Sequence, residues 1–397
     1  MSGTLGILIW IAYFVSLYVL IYWLVFYLER RSTIHAERNA KPVPKKYSLV
    51  TIVVPAFNEE RTIIGTLRSL NALSYPKDKL EILVVDDGSV DTTSEIVKEF
   101  IKGHPGFPGK LISKQNGGKG SALNLALRKA KGTFFACLDA DSFVQPLILK
   151  HQLAMFERNP ALVVVTPVMK IHNPKTMIQR FQRLEYVAAM LLTKLLGYMD
   201  SNFVAPGPFS VYRTAMLRKI GGFDEKSLIE DQEVVYRIQE KHYKIAQCPA
   251  AHVYTVAPSN LSQLKSQRVR WSKGTLINLI TYRKMAFNKR YGDFGLFMIP
   301  LHIFGFFLAF LAVTSFLYYT LKPVFLHFKQ LWLTNFDIVT YMRSLTWNFN
   351  VLNFEATLSF IIYTALFLGF IFLLIASRMT KDKIRAHGGI SILLYFL

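Results

Sequence analysis

Cysteine is nearly absent. Cys137 and Cys248 are the only two in 397 residues, too few for a disulfide framework and without the spacing of a cysteine zinc site. Both stand in apolar, strand-like surroundings and read as buried, reduced thiols. His252 lies among strand-like apolar residues and His302 in an uncharged run, with no Cys, His or carboxylate at ligand spacing, so both read as packed side chains. Acidic residues are scarce, 26 against 47 basic ones, giving a formal charge of +21. No stretch is of low complexity, and Asn116-Gly-Gly-Lys-Gly-Ser121 lacks the Gly-x4-Gly-Lys-Ser/Thr spacing of a P-loop.

Charge is missing altogether from Leu5 to Leu28, Phe294 to Thr320 and Ala356 to Ala376. At about 1.5 Å per residue, helices of these lengths match a hydrocarbon core of about 30 Å, so three spans are expected. The first run lacks a basic n-region and a small-x-small cleavage pattern, and it is longer than a signal-peptide core. An uncleaved anchor is the expectation. Arg30, Arg31, Arg38, Lys41, Lys45 and Lys46 follow the first run, Lys289 and Arg290 precede the second, and Arg378, Lys381, Lys383 and Arg385 follow the third. Positive flanks tend to stay inside, which predicts an outside N-terminus at the plasma membrane, residues 29–293 in the cytoplasm, and 321–350 outside. Residues 377–397 then form a basic cytoplasmic segment and an apolar tail. Ile390 to Leu397 is too short to cross, and either lies along the interface or begins a further span. The basic residues gather beside these spans, which explains the positive charge by anionic lipid and a diphosphate ligand rather than by nucleic acid.

Composition is 52% hydrophobic, with 31 Phe and 19 Tyr, which suits one domain of roughly 200–250 residues plus a few spans. From Ser48 to Thr166 strands and helices alternate. Strands are expected at Ser48–Val54, Leu80–Val85, Lys110–Ser113, Thr133–Leu138 and Leu162–Thr166, with helices at Glu59–Leu70, Thr92–Ile101, Gly120–Ala130 and Pro146–Glu157. Continuous apolar strands between helices predict an α/β fold with a mostly parallel sheet covered on both faces. Ligands of such sheets sit beyond the C-terminal strand ends. A long helical run follows at 175–198, then a Gly/Pro-bearing loop Asn202–Pro208 and a strand-like Phe209–Tyr212. Leu261 to Met285 reads as an amphipathic helix suited to headgroups. The expected division is 1–28 first span, 29–47 basic linker, 48–260 catalytic domain, 261–293 interfacial helix, 294–320 second span, 321–350 connection, 351–376 third span and 377–397 tail.

Polar residues collect at the strand ends. Asp86 and Asp87 follow one strand, where adjacent carboxylates accept hydrogen bonds from a base and a ribose or approach a cation. Asp139 and Asp141, two apart after another strand, suit a hard divalent ion that completes its shell with a substrate diphosphate. Lys119 is a second electrostatic partner for such a diphosphate. Glu230 and Asp231 open a helix whose dipole favours their ionised form, so a base there needs tuning by its neighbours. Gln267, Arg270 and Trp271 share a helix face, where Arg270 can clamp a diphosphate and Trp271 can stack on a sugar ring. Each motif alone also has a plainer reading, as a solvated turn, a helix cap or an interfacial tryptophan.

Taken in order, these motifs resemble those of membrane-embedded family 2 glycosyltransferases of the inverting GT-A type, among them the synthases of cellulose, chitin, hyaluronan and poly-N-acetylglucosamine. The resemblance covers roughly residues 48–285. It implies a Rossmann-like GT-A domain set between transmembrane helices, with Pro55, Phe57 and Glu59 lining the nucleotide pocket and Asp87 at the nucleobase. It further implies Asp139 near the nucleotide, Asp141 holding a Mg or Mn ion, and Asp231, with Glu230 beside it, as the general base. Gln267 and Arg270 of the Gln-x-x-Arg-Trp signature would hold the diphosphate of the donor, as would Lys119, and Trp271 would border the acceptor. Pro206-Gly-Pro-Phe-Ser-Val-Tyr-Arg213 looks like the segment that closes the acceptor site, which assigns Gly207 there.

Two departures stand out. Polymer-secreting relatives often have more spans than three, so a pore would be narrow, completed by a second copy or an export partner, or built with further C-terminal chain. No appended regulatory domain is visible. The implied function is transfer of a sugar from a nucleotide donor, UDP-linked in the first instance, to the hydroxyl of a growing β-linked polysaccharide or oligosaccharide at the membrane. The alternative is a single transfer to a polyprenyl phosphate or glycolipid. A transport or scaffolding protein with a vestigial site is a third class, against which the intact Asp87, Asp141 and Asp231 count.

Overall fold

The computed structural model describes residues 4–40, 44–339 and 356–382. The chain divides into two compact units, one of Met1–Val25 and Pro300–Ile371, the other of Phe26–Ile299 and Phe372–Leu397.

The second unit is built on an eight-stranded sheet of β1 (Val50–Ala56), β2 (Leu80–Asp86), β3 (Gly109–Ser113), β4 (Phe134–Cys137), β5 (Ser142–Val144), β6 (Leu162–Ile171), β7 (Val211–Arg213) and β8 (Lys244–Thr255). The order across the sheet is β3-β2-β1-β4-β7-β6-β8-β5. The first half is parallel as expected, β3 on β2, β2 on β1 and β1 on β4. The second half corrects the mostly parallel expectation, because β7 runs antiparallel to both β4 and β6, and β5 runs antiparallel to β8. The sheet is therefore mixed. β7 and β5 are only three residues each, too short to carry the long apolar signature of a buried parallel strand. Between β6 and β8 the register shifts at Thr166/Val168, where Pro167 and Pro249 cannot donate to the ladder.

Alternation decides the two faces. Val50, Ile52, Val54, Ile82 and Val84 point to one core with Leu67 and Leu70, while Val53, Leu83 and Val85 point to another with Leu123 and Ala126. Each fully buried aliphatic of this kind contributes about 1.5–3 kcal/mol. Covering both faces are α2 (Ile63–Asn71), α3 (Thr93–Gly103), α4 (Lys119–Lys129) and α5 (Ile148–Arg158). After β6 come α6 (Met177–Tyr198), opened by a Thr176 and Gln179 capping box, then α7 (Thr214–Lys219), α8 (Glu230–Glu240) and α9 (Leu261–Thr281). Buried Lys194 of α6 pairs with Glu37 and donates to the Gln247 carbonyl at 3.1 Å, and Arg183 pairs with Asp382.

Among the described residues three helices are long and apolar enough to cross a membrane, by length and composition: Gly6–Asn39, Phe294–Phe316 and Tyr363–Thr380. The first belongs to α1 (Thr4–Asn39), so the expected 29–47 linker is helical as far as Asn39. Its basic residues favour helix, and no Gly or Pro interrupts them before Pro42. α10 (Ile299–Phe316) follows a π-helical turn at Phe294–Met298, and helical structure goes on through α11 (Lys322–Leu333) into the expected 321–350 connection. The last helix, α12, spans Ala356–Thr380. The first unit leaves large apolar side chains such as Ile7, Phe14, Phe310 and Phe316 exposed, as lipid-facing helices do. The expectations for residues 340–355 and for the tail after Asp382 lie outside the described residues.

Candidate active site

β2, β1 and β4 are parallel neighbours, so their C-terminal ends open along one edge. That alone brings Phe57 and Glu59, Asp87, and Asp139 with Asp141 into one place from three distant parts of the chain. They line a cleft of about 260 Å³ with Pro55, Ala56, Ala140, Lys119 and Arg270.

Asp87 is buried and well bonded. Its backbone N–H donates to the Ala56 carbonyl at 2.9 Å, and its carboxylate receives Lys114 Nζ at 2.6 Å. The Gly117 and Gly118 N–H groups donate to it at 3.1 and 2.7 Å. Gly118 sits at φ 85°, a conformation that costs a residue with a Cβ and that turns consecutive N–H groups toward one anion. Asp86 instead faces its own turn, accepting from Ser89 N at 3.0 Å and from the Ser94 hydroxyl.

At the first residue of α4, Lys119 reaches Asp139 Oδ1 at 2.7 Å and Glu230 Oε1 at 2.8 Å. Burial works against its charge, yet Asp139, Glu230 and Asp231 together hold it well above the usual lysine range. A Cβ on Gly207 would lie 2.7 Å from Lys119 Nζ and 2.9 Å from Asp139 Oδ2, so any larger residue there would make this ion pair shift. The Gly207 N–H also donates to Asp231 Oδ2 at 3.3 Å.

The environments of Glu230 and Asp231 push the two acids apart. Burial raises both, but contact with Lys119 carries Glu230 below its ordinary value. Asp231 goes up to about 6, through burial first and then the negative charges of Glu230 and Asp139, with Lys119 opposing. Asp141 also rises to about 6, from burial, then Asp139 and Glu59, although Ser142 Oγ donates to it at 3.0 Å. Glu59 is raised by burial and by Asp139 and Asp91, against a hydrogen bond from the Thr62 hydroxyl. Uncompensated negative charge therefore accumulates around Asp141. Among the described residues no three His, Cys, Asp or Glu side chains come together as a ready ligand set. The donor set is thus one or two carboxylates, which fits a hard divalent ion that takes its other oxygens from a ligand's phosphates.

α9 adds a cation from a second direction, with Arg270 exposed at the cleft wall. Gln267, one turn earlier, is half-buried and its side-chain oxygen has no partner. Trp271 does not line the cleft. Its ring lies under Arg268, 4.7 Å from the guanidinium carbon, and packs on Ile171, Tyr186 and Ala257. Arg268 in turn makes two 2.6 Å bonds to Glu185 of α6. Of the thirteen residues singled out from sequence, Pro55, Phe57, Glu59, Asp87, Lys119, Asp139, Asp141 and Arg270 line the cleft, and Lys119 ties Glu230 to it. Sequence reasoning missed Lys114, which follows β3 directly. The strand-end rule used for β2 and β4 would have found it.

The glycosyl transferase family 2 profile matches residues 51–221. The chain is 28% identical over 270 residues to the poly-beta-1,6-N-acetyl-D-glucosamine synthase of Staphylococcus epidermidis, an alignment that takes in 66% of this chain and 64% of that one. It is 32% identical over 240 residues to the probable glycosyltransferase YdaM of Bacillus subtilis, covering 59% of this chain and 56% of that one. The chain therefore spans less than two thirds of the length of these relatives. A mannosyltransferase from Pyrobaculum calidifontis, solved in complex with GDP-Man and Mn2+, superposes with a TM-score of 0.63 over 94% of this chain and 97% of its own, at 18% identity. That likeness establishes a shared fold. The sequence match begins in β1 and runs past β7, so the part of the chain similar to glycosyl transferase family 2 takes in the strand ends that build the cleft.

Proposed function

We propose that the chain is a metal-dependent inverting glycosyltransferase that moves a sugar from a UDP-linked donor to the hydroxyl of a growing β-linked polysaccharide or oligosaccharide at the membrane. The observation that carries this reading is Asp231. Its carboxylate is pushed up to about 6 beside the Lys119–Asp139 ion pair, whose two residues line a cleft together with further acids and Arg270. A base near neutrality and a cation-ready pocket for a diphosphate are the two things that such a displacement needs.

Asp231 takes the proton of the acceptor hydroxyl as that oxygen attacks the anomeric carbon. The bond from that carbon to the diphosphate oxygen breaks on the opposite face, and its electron pair leaves with the nucleoside diphosphate. Configuration inverts. Asp141, with Asp139 beside it, would hold Mg or Mn, which supplies neutralisation of charge on the departing diphosphate. Arg270 supports the same charge from α9, and Lys119 keeps Asp139 and Glu230 compensated. Asp87 and its glycine cradle belong to the nucleoside side, with Pro55 and Phe57. Gly207 and Trp271 are assigned to the acceptor side.

The similarity to a poly-beta-1,6-N-acetyl-D-glucosamine synthase supports repeated transfer, and the three apolar helices support work at a bilayer. By its positive flanks the catalytic domain lies in the cytoplasm with the N-terminus outside, which protease access in inverted vesicles tests. A single transfer to a polyprenyl phosphate or glycolipid is the second reading, favoured by there being only three candidate spans among the described residues.

Incubating detergent-solubilised protein with labelled nucleotide sugars and Mg or Mn, then sizing the products, separates the two. A ladder supports repeated addition; one organic-soluble species supports lipid glycosylation. Asp231→Asn should keep donor binding and lose transfer by about 10²- to 10⁴-fold. Retention of more than about a tenth of wild-type turnover defeats the assignment of the base.

A further inference from the structure

The residues that bear the chemistry, Glu230 and Asp231 at the start of α8 and Arg270 midway along α9, come from segments joined by the long strand β8. Nothing in their sequence sets their relative height. A stripe at four-residue spacing does so in the fold: Gly274 and Asn278, one and two turns after Arg270 on the same face of α9, and Tyr282, the residue that caps the helix. Gly274 is buried against Ile229, the residue before Glu230. A Cβ there would overlap Ile229 Cγ1 and lie 2.6 Å from its Cδ1. One turn on, buried Asn278 donates to Gln232 Oε1 at 3.0 Å, and then the Tyr282 hydroxyl donates to Glu233 Oε1 at 2.6 Å. Glu233 is itself held by Arg237 of α8 at 2.6 Å, and Arg237 donates onward to the Ile220 and Gly222 carbonyls at 2.7 and 2.8 Å.

From this we infer that the α8–α9 seam is a positioning device, in which the close approach at Gly274 and the two polar bonds behind it fix Arg270 at the height of Asp231. Gly274, Asn278 and Tyr282 do not line the cleft, so they act through the helices. The polar bonds define a register, because a slide by one residue would leave Asn278 and Gln232 buried without partners, which apolar packing alone would tolerate. The inference rests on the function proposed above.

The test is a compensation experiment. Gly274→Ala should lower kcat for transfer and UDP affinity, the latter read by calorimetry with Mn2+ present, each by at least about tenfold, since a positioning error near 1 Å costs on the order of 10²-fold. Truncating the obstructing side chain in the double variant Gly274→Ala/Ile229→Ala should recover most of both. Tyr282→Phe removes one seam bond without changing shape and should slow transfer about three- to tenfold while its melting temperature stays within a few degrees of wild type. The seam is refuted if Gly274→Ala matches an active wild-type protein in kcat and UDP affinity, or if the double variant is as slow as the single one. A wild-type protein with neither transfer nor UDP binding sinks the functional reading, and the seam with it.

Discussion

The split between Glu230 and Asp231 gives the most demanding prediction. Asp231 stands at about 6 where an ordinary aspartate lies at 3.8, and after burial the neighbouring Glu230 charge is the largest cause. With the base at about 6, roughly nine tenths of it is ionised at pH 7, and kcat/KM should fall about tenfold per pH unit below 6. Glu230→Gln removes the negative neighbour and leaves the burial, so the acid limb should move to lower pH by part, not all, of the rise from 3.8 to about 6. Lys119→Met does the opposite, because Lys119 is the cation that opposes the rise, and its limb should move to higher pH. The assay is initial-rate transfer from about pH 4.5 to 8 under saturating Mn2+, which keeps Asp141 ionised so that only the base is titrated. An acid limb that stays in place in Glu230→Gln, or that moves the same way in both variants, would refute the claim that these neighbours tune Asp231.

Gly207→Ala should part Lys119 from Asp139, since its Cβ would lie 2.7 Å from Nζ; transfer should drop at least tenfold, for a stability loss of only about 1–3 kcal/mol by thermal melt. Chelation should abolish transfer, and because Asp141 rises to about 6, Mn2+ affinity measured by calorimetry should weaken as pH falls below 6, protons competing for the same oxygens. Lys114→Met leaves Asp87 with only its backbone donors and should raise the donor KM several-fold with kcat nearly kept, by steady-state kinetics.

Local chemistry was readable in the chain wherever one residue and its close neighbours decide the outcome. The apolar runs at Val50–Ala56 and Leu80–Asp86 announce buried parallel strands, and the acids that follow them must then sit on one sheet edge. Three uncharged runs announce three helices suited to a bilayer, and Glu230 opens its helix where the pattern places it. The insertion of β7 against β4 and β6 was not readable, because three residues carry no periodicity and their pairing is set by partners far along the chain. Nor was the environment of the acids. That Asp87 is met by Lys114 and a glycine cradle, that Lys119 lies between Asp139 and Glu230, and that Asp231 is pushed up while Glu230 is pulled down all depend on distances across the fold. Sequence determines which carboxylates and cations are available and on which strand end or helix end they ride. Coulombic interaction and desolvation depend on separation and burial, so only the tertiary structure decides which of those carboxylates is poised to accept a proton.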